Sequence, residues 1–136
     1  MDDPIVAFLR ERIAEDEAGV HALVEPHEWH TGPGDDPDWE DESTVYMWPP
    51  EFHTPYEQDK HWRGLTASNP ALAAHIARHD PARVLREVEA KRRIVERYAW
   101  LREHGDTGDA AWVLPLLAAP YSNHADFRPE WSSGLG

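Results

Sequence analysis

The 136-residue chain contains no cysteine. That excludes a disulfide framework, a thiolate-ligated zinc site and a thiol nucleophile. No apolar run approaches the roughly 20 residues of a membrane span. The start, MDDPIVAFLRER, lacks the basic and apolar regions of a signal peptide. A cytoplasmic protein is the expectation. Basic charge is scarce: 13 Lys and Arg face 26 Asp and Glu, a net charge of −13. No G-x-G-x-x-G, no P-loop and no G-x-S-x-G is present, so the common nucleotide and serine-hydrolase motifs are missing.

The charge that is there is unevenly placed. Residues 1–57 carry 16 acids and two bases, Arg10 and Arg12, whereas residues 58–136 carry 10 acids and 11 bases. Direct nucleic-acid binding is not expected, because phosphate neutralisation needs a net basic surface. Arg83, Arg86, Lys91, Arg92, Arg93 and Arg97 form the strongest basic cluster, with Glu87, Glu89 and Glu96 interleaved. A salt-bridged helix face complementing the acidic half accounts for it, and a contact surface for RNA or an acidic partner is the alternative. An acidic half that mimics DNA in a basic groove is a third reading.

Length allows one domain, 1–136, with a modest core. Residues 4–24 read as a helix opened by Asp3-Pro4 and closed by Pro26. At 100° per residue, Ile5, Leu9, Ile13, Val20 and Leu23 share one face. The segment 25–69 loses helical period and gains Pro, Gly and Trp. Strands are expected near 28–31, at TVYMW (44–48) and near 61–66, in a small antiparallel hairpin or meander. Residues 32–43 read as an acidic loop, and 132–136 as a disordered tail. Trp29, Trp39, Trp48 and Trp62 read as anchors that pin this segment, or as an aromatic binding surface.

Asn69-Pro70 and Asp80-Pro81 each combine an N-cap with a first-position proline. They predict a short helix to about Arg78 and a long one from 81 to about 103, ended by Gly105. Val84, Val88, Val95 and Tyr98 form the long helix's apolar stripe. AAWVLPLLA (110–118) predicts a last short helix interrupted at Pro115, with Leu114 and Leu117 in the core. Tyr121, Phe127 and Trp131 predict a tail docked on the body. The class is α+β, mostly helical, with the N-terminal helix packed on the long one.

Two charges fall on predicted core faces, Asp16 on the first helix and Lys91 on the long one. An unpaired buried charge costs several kcal/mol, so each needs a partner. An Asp16–Lys91 pair shared with Glu87 satisfies both, and a polar pocket between helices is the functional alternative. His75 and His79 stand four apart on the short helix, a spacing that presents two imidazoles to one metal such as zinc. Asp16, Glu17, His124 or Asp126 are candidates for a third ligand. Helix capping by His79 is the plainer account, and a nearby Lys91 opposes a metal. HEWH (27–30) places its two histidines on opposite faces of a strand, which disfavours a metal site.

The segment HIARHDPARVLREVEAKRRIVERYA (75–99) resembles a family of small proteins of unknown function from actinobacteria and their phages. DDPIVAFLRERIAEDE (2–17) and LLAAPYSNHADFRPEW (116–131) are similar to the same family. The resemblance covers about half of the chain and implies a bacterial cytoplasmic or phage-encoded accessory protein. It implies no activity, substrate or catalytic residue. The chain is also similar, at the level of fold, to small phage accessory proteins with a β-meander before a two-helix segment.

The functional expectation is a non-enzymatic interaction or accessory protein with a protein partner or a second copy of itself. The alternatives are a metal- or small-ligand-binding protein using His75, His79 and Asp16, and an enzyme in which Lys91 joins them around a pocket.

Overall fold

A computed structural model describes residues 3–23, 27–31, 43–47, 64–106 and 108–132. Its elements run α1 (Pro4–His21), β1 (His30–Thr31), β2 (Thr44–Tyr46), β3 (Gly64–Thr66), α2 (Pro70–Arg78), α3 (Pro81–Glu103) and α4 (Ala110–Ala118), followed by single 3-10 turns at Ala119–Tyr121 and Pro129–Trp131. The predicted class holds: mostly helical, with a small antiparallel sheet. The chain forms two compact units, Met1–Gly19 with Arg86–Gly136, and Val20–Leu85.

The first unit is built on α1 and α3, which run antiparallel. Three ion pairs record the register: Asp3 with Arg102 at 2.9 Å, Arg10 with Glu96 at 2.7 Å, and Glu17 with Arg92 at 3.0 Å. In two of them a basic side chain of α3 meets an acid of the N-terminal segment, as the charge map predicts; in the third, Arg10 of α1 meets an acid of α3. Ile5, Val6, Phe8, Leu9 and Ile13 are buried in this unit, together with Val88, Val95, Ala99, Ala110, Leu114 and Ala118.

α1 ends at His21, short of the predicted 24, and Leu23 is 39% exposed rather than core. Leu23 donates its amide to the Val20 carbonyl at 3.0 Å in a turn that leads the chain off the helix. Val24 and Pro26 lie outside the described residues.

The end of α3 is a full Schellman motif. Gly105 takes a φ of 90°, Asp106 N–H donates to Leu101 O at 2.9 Å, and Gly105 N–H donates to Arg102 O at 3.4 Å. An L side chain disfavours that φ, so glycine is the residue this position needs. α4 is not broken at Pro115, contrary to expectation. Proline there removes one N–H, yet Ala119 N–H still donates to the Pro115 carbonyl and the helix runs through. Leu114 is fully buried, whereas Leu117 is half-buried.

The second unit contains a three-stranded antiparallel meander in the order β1-β2-β3, with α2 packed on β1 and β2. His30 pairs with Tyr46 across β1 and β2 and stacks on it at 5.5 Å. Thr44 faces Thr66 across β2 and β3. Val20, Val45, Tyr46 and Ala73 are buried. Both predicted N-caps form. Asn69 Oδ1 accepts from Leu72 N–H at 2.9 Å, and Asp80 Oδ1 accepts from Arg83 N–H at 2.9 Å. Asp80 Oδ2 also accepts from Trp29 N–H at 3.1 Å, which ties the start of α3 to the residue before β1. Trp39, Trp48 and Trp62, the acidic loop 32–43 apart from Ser43, and tail residues 133–136 lie outside the described residues.

Candidate functional site

The two core-face charges, Asp16 and Lys91, are brought together, but through a third residue. Tyr121 O–H donates to Asp16 Oδ2 at 2.7 Å, and Lys91 Nζ donates to the same phenol oxygen at 3.3 Å. Lys91 Nζ also stands 5.4 Å from the Tyr121 ring centre. Each of the three side chains is half-buried. Burial first, then the bond to Asp16, pushes the Tyr121 phenol well above the ordinary value near 10. The charges of Asp16 and Glu87 act in the same direction, and Arg12 opposes them. Glu87 thus acts on the phenol through its charge.

One turn before Asp16 lies a charge that the sequence reading passed over. Arg12 is 5% exposed, the most buried charged residue among those described. Its guanidinium lies 5.3 Å from the Phe8 ring centre, contacts His124 Nε2 through Nη1, and pairs through Nη2 with Glu15 at 3.0 Å and Glu11 at 3.3 Å. Arg12 Nε has no hydrogen-bond partner among the described residues. Asp126 N–H approaches the other ring nitrogen of His124 at 3.0 Å. A neutral imidazole has one acceptor nitrogen, so the ring serves one of these two donors at a time. The wheel that singled out Asp16 also places Arg12 about 20° from Ile5, so this signal was present.

Phe8 is the aromatic hub of the same region. Tyr121, His124, Phe127 and Trp131 all pack on it, with ring centres at 6.3, 5.7, 6.0 and 5.0 Å. The tail docks through its aromatics, as predicted, and in docking carries the Tyr121 hydroxyl between Asp16 and Lys91.

His75 and His79 belong to the second unit and are both exposed. Their rings lie 4.4 Å apart, tilted by 37°. His79 is the C-cap of α2: its backbone N–H donates to His75 O and Ile76 O, and its Nδ1–H donates to His75 O at 2.8 Å. That bond leaves the Nε2 lone pair of a neutral His79 ring pointing away from the helix end. Among the described residues, no group of three or more His, Asp or Glu is arranged to hold a metal ion. Of the candidate third ligands, Glu17 is paired with Arg92, and His124 faces Arg12.

On the surface of the first unit, Ile94, Trp100, Trp112 and Leu116 are 37%, 49%, 63% and 43% exposed. α4 carries no charged side chain at all. A shallow cavity of about 270 Å³ lies along the α1–α3 seam, lined by Ile13, Ala14 and Val95 and rimmed by Arg10, Glu96 and Arg92. Among the described residues, no helix is long and apolar enough to cross a membrane.

These features define a mostly helical α+β protein with an internally hydrogen-bonded polar cluster and large apolar side chains at the surface of its helices. The chain belongs to a family whose model, described as "Family of unknown function (DUF6221)", matches residues 2–133. No curated protein and no solved structure matches the chain.

Proposed function

We propose that this chain is a non-enzymatic interaction or accessory protein of the cytoplasm. One observation carries the reading: the first unit exposes Trp100, Trp112, Leu116 and Ile94 on its helices. Tryptophan at half exposure or more is costly to solvate and is enriched where proteins meet. The polar side chains able to do chemistry point the other way. Asp16, Lys91 and Tyr121 are bonded to one another, and the raised pKa of the phenol opposes its use as a base. An actinobacterial or phage origin is part of the same proposal, supported by the resemblance of residues 75–99.

The test is site-specific photo-crosslinking in the source cells, with benzoylphenylalanine at positions 94, 112 and 116 in turn. A single protein recurring in the adducts at one position supports the reading. Absence of any specific adduct at all three positions overturns it.

A second reading assigns His75 and His79 of the second unit to a transition-metal or small-ligand site. It is favoured by the 4.4 Å approach of the two rings and by the carbonyl bond that directs His79 Nε2 outward. Elemental analysis of untagged protein, beside a His75→Ala/His79→Ala double variant, tests it. Near-stoichiometric zinc lost in the variant establishes the site; equal traces in both samples remove it.

A further inference from the structure

The outer face of α3 carries a feature that neither the polar cluster nor the aromatic tail uses. Place the helix on a wheel at about 100° per residue. Arg86, Arg93, Arg97 and His104 then fall within about 40° of one line, all of them exposed. Arg93 is paired with Glu89 of the same helix at 2.9 Å. Arg86 and Arg97 make no ion pair with any described residue. They stand about 16 Å apart along the axis, three turns, in a protein of net charge −13.

The stripe has an aromatic centre. The Arg97 guanidinium lies 5.3 Å from the Trp100 ring centre, and the His104 ring stacks on Trp100 at 3.9 Å and 19°. His104 is held there by its Nδ1–H bond to Trp100 O at 2.7 Å. Ile94, 37% exposed, flanks the line. Arginine and tryptophan dominate the energetics of protein contacts, and side chains already stacked lose less entropy on binding.

We infer that the outer face of α3 is a docking surface for an acidic amphipathic segment of another protein. The inference rests on the interaction reading above and names its partner chemistry. Carboxylates about three turns apart on the partner meet Arg86 and Arg97, and an apolar side chain covers Ile94 and Trp100. Charge complementarity selects this occupant. Exposed Ile94 and Trp100 beside the two guanidinium groups call for an apolar side chain, which an amphipathic peptide supplies and a phosphate backbone does not.

The experiment uses the full chain and two labelled 16-residue probes, read by fluorescence anisotropy. One is an amphipathic helix with Leu on one face and Glu beside it; the other has Lys in place of every Glu. The acidic probe is expected to bind in a salt-sensitive way and to lose at least about tenfold in affinity to R86E/R97E. The Lys probe is expected to bind R86E/R97E better than the unmodified chain. I94S is expected to weaken the acidic probe several-fold, and circular dichroism confirms the fold of each variant. No binding of the acidic probe, or equal binding by R86E/R97E, overturns the inference. So does competition by a 12-nucleotide oligouridylate, which would assign the stripe to phosphate. A dimer that R86E/R97E dissolves in sedimentation also overturns it, since the occupant is then a second copy. Crosslinks at 112 or 116 that survive R86E/R97E, with no acidic-probe binding, sink this surface and leave the interaction reading standing.

Discussion

Tyr121 donates its phenol proton to Asp16 at 2.7 Å across 105 positions of sequence, and Lys91 donates to the same oxygen from α3. The carboxylate and the ammonium are thereby held in one group without direct contact. The phenol accepts from the ammonium and donates to the carboxylate. The C-terminal tail is stitched to α1 and α3 by a polar bond as well as by rings.

Tyr121→Phe removes the shared atom and leaves both charges short of a partner. A loss of about 1–2 kcal/mol in unfolding free energy is expected, read by urea denaturation. The titration carries a second readout. A phenol whose folded pKa is raised contributes stability that is complete below the ordinary value near 10 and lost as pH rises through the folded value. Absorbance at 295 nm should show a tyrosine ionising well above the ordinary value, and Tyr121→Phe should remove one tyrosine's worth of that late amplitude.

Phe8→Ala is expected to release the tail. Four rings pack on this one side chain, and large-to-small changes of a buried phenylalanine cost about 3–5 kcal/mol. Chymotrypsin cleavage after Tyr121 or Phe127 should accelerate in native buffer. Unchanged cleavage would mean that the tail is held elsewhere.

Asp80 serves two amides at once, Arg83 at the start of α3 and Trp29 before β1. Asp80→Ala should cost about 1–2 kcal/mol, at the upper end for a helix cap. Asp80→Asn keeps a capping oxygen and should cost less. Amide exchange at both Trp29 and Arg83 should quicken in the alanine variant; faster exchange at Arg83 alone would reduce Asp80 to an ordinary cap.

The Arg10–Glu96 pair predicts a small acid-side effect. The hydrogen bond from Arg10, assisted by charge, holds the Glu96 carboxyl below the usual 4.5. A lowered pKa gives stability that is present above 4.5 and lost as pH falls through the folded value. Both side chains are about half exposed, at 53% and 49%, so solvent screening limits the gain to a few tenths of a kcal/mol. Glu96→Gln should flatten that part of the acid profile at low salt and leave the profile in 1 M NaCl unchanged.

The helices were legible because each carries local punctuation. Asn69-Pro70, Asp80-Pro81 and Gly105 mark their boundaries by backbone chemistry that acts within a few residues. The three strands were legible from short β-prone runs between turn residues. The C-terminal end of α1 and the continuity of α4 were not, since a turn after His21 and a tolerated proline are not marked by local punctuation. Asp16 and Lys91 were legible as misplaced charges. Their true partner was not, because Tyr121 lies in an irregular tail with no period to place it on a face.

The sequence by itself determined the class, the cap residues, the docking of an aromatic tail and the fact that two core-face charges needed partners. These follow from local backbone preference and from the cost of burying an unpaired charge. Tertiary structure alone decided that Phe8 gathers the tail, that Arg12 meets His124, and that one phenol bridges Asp16 to Lys91. It also decided that Arg86, Arg97 and Trp100 face outward. Contacts between residues a hundred positions apart depend on how the helices pack, and no local pattern in the chain encodes that geometry.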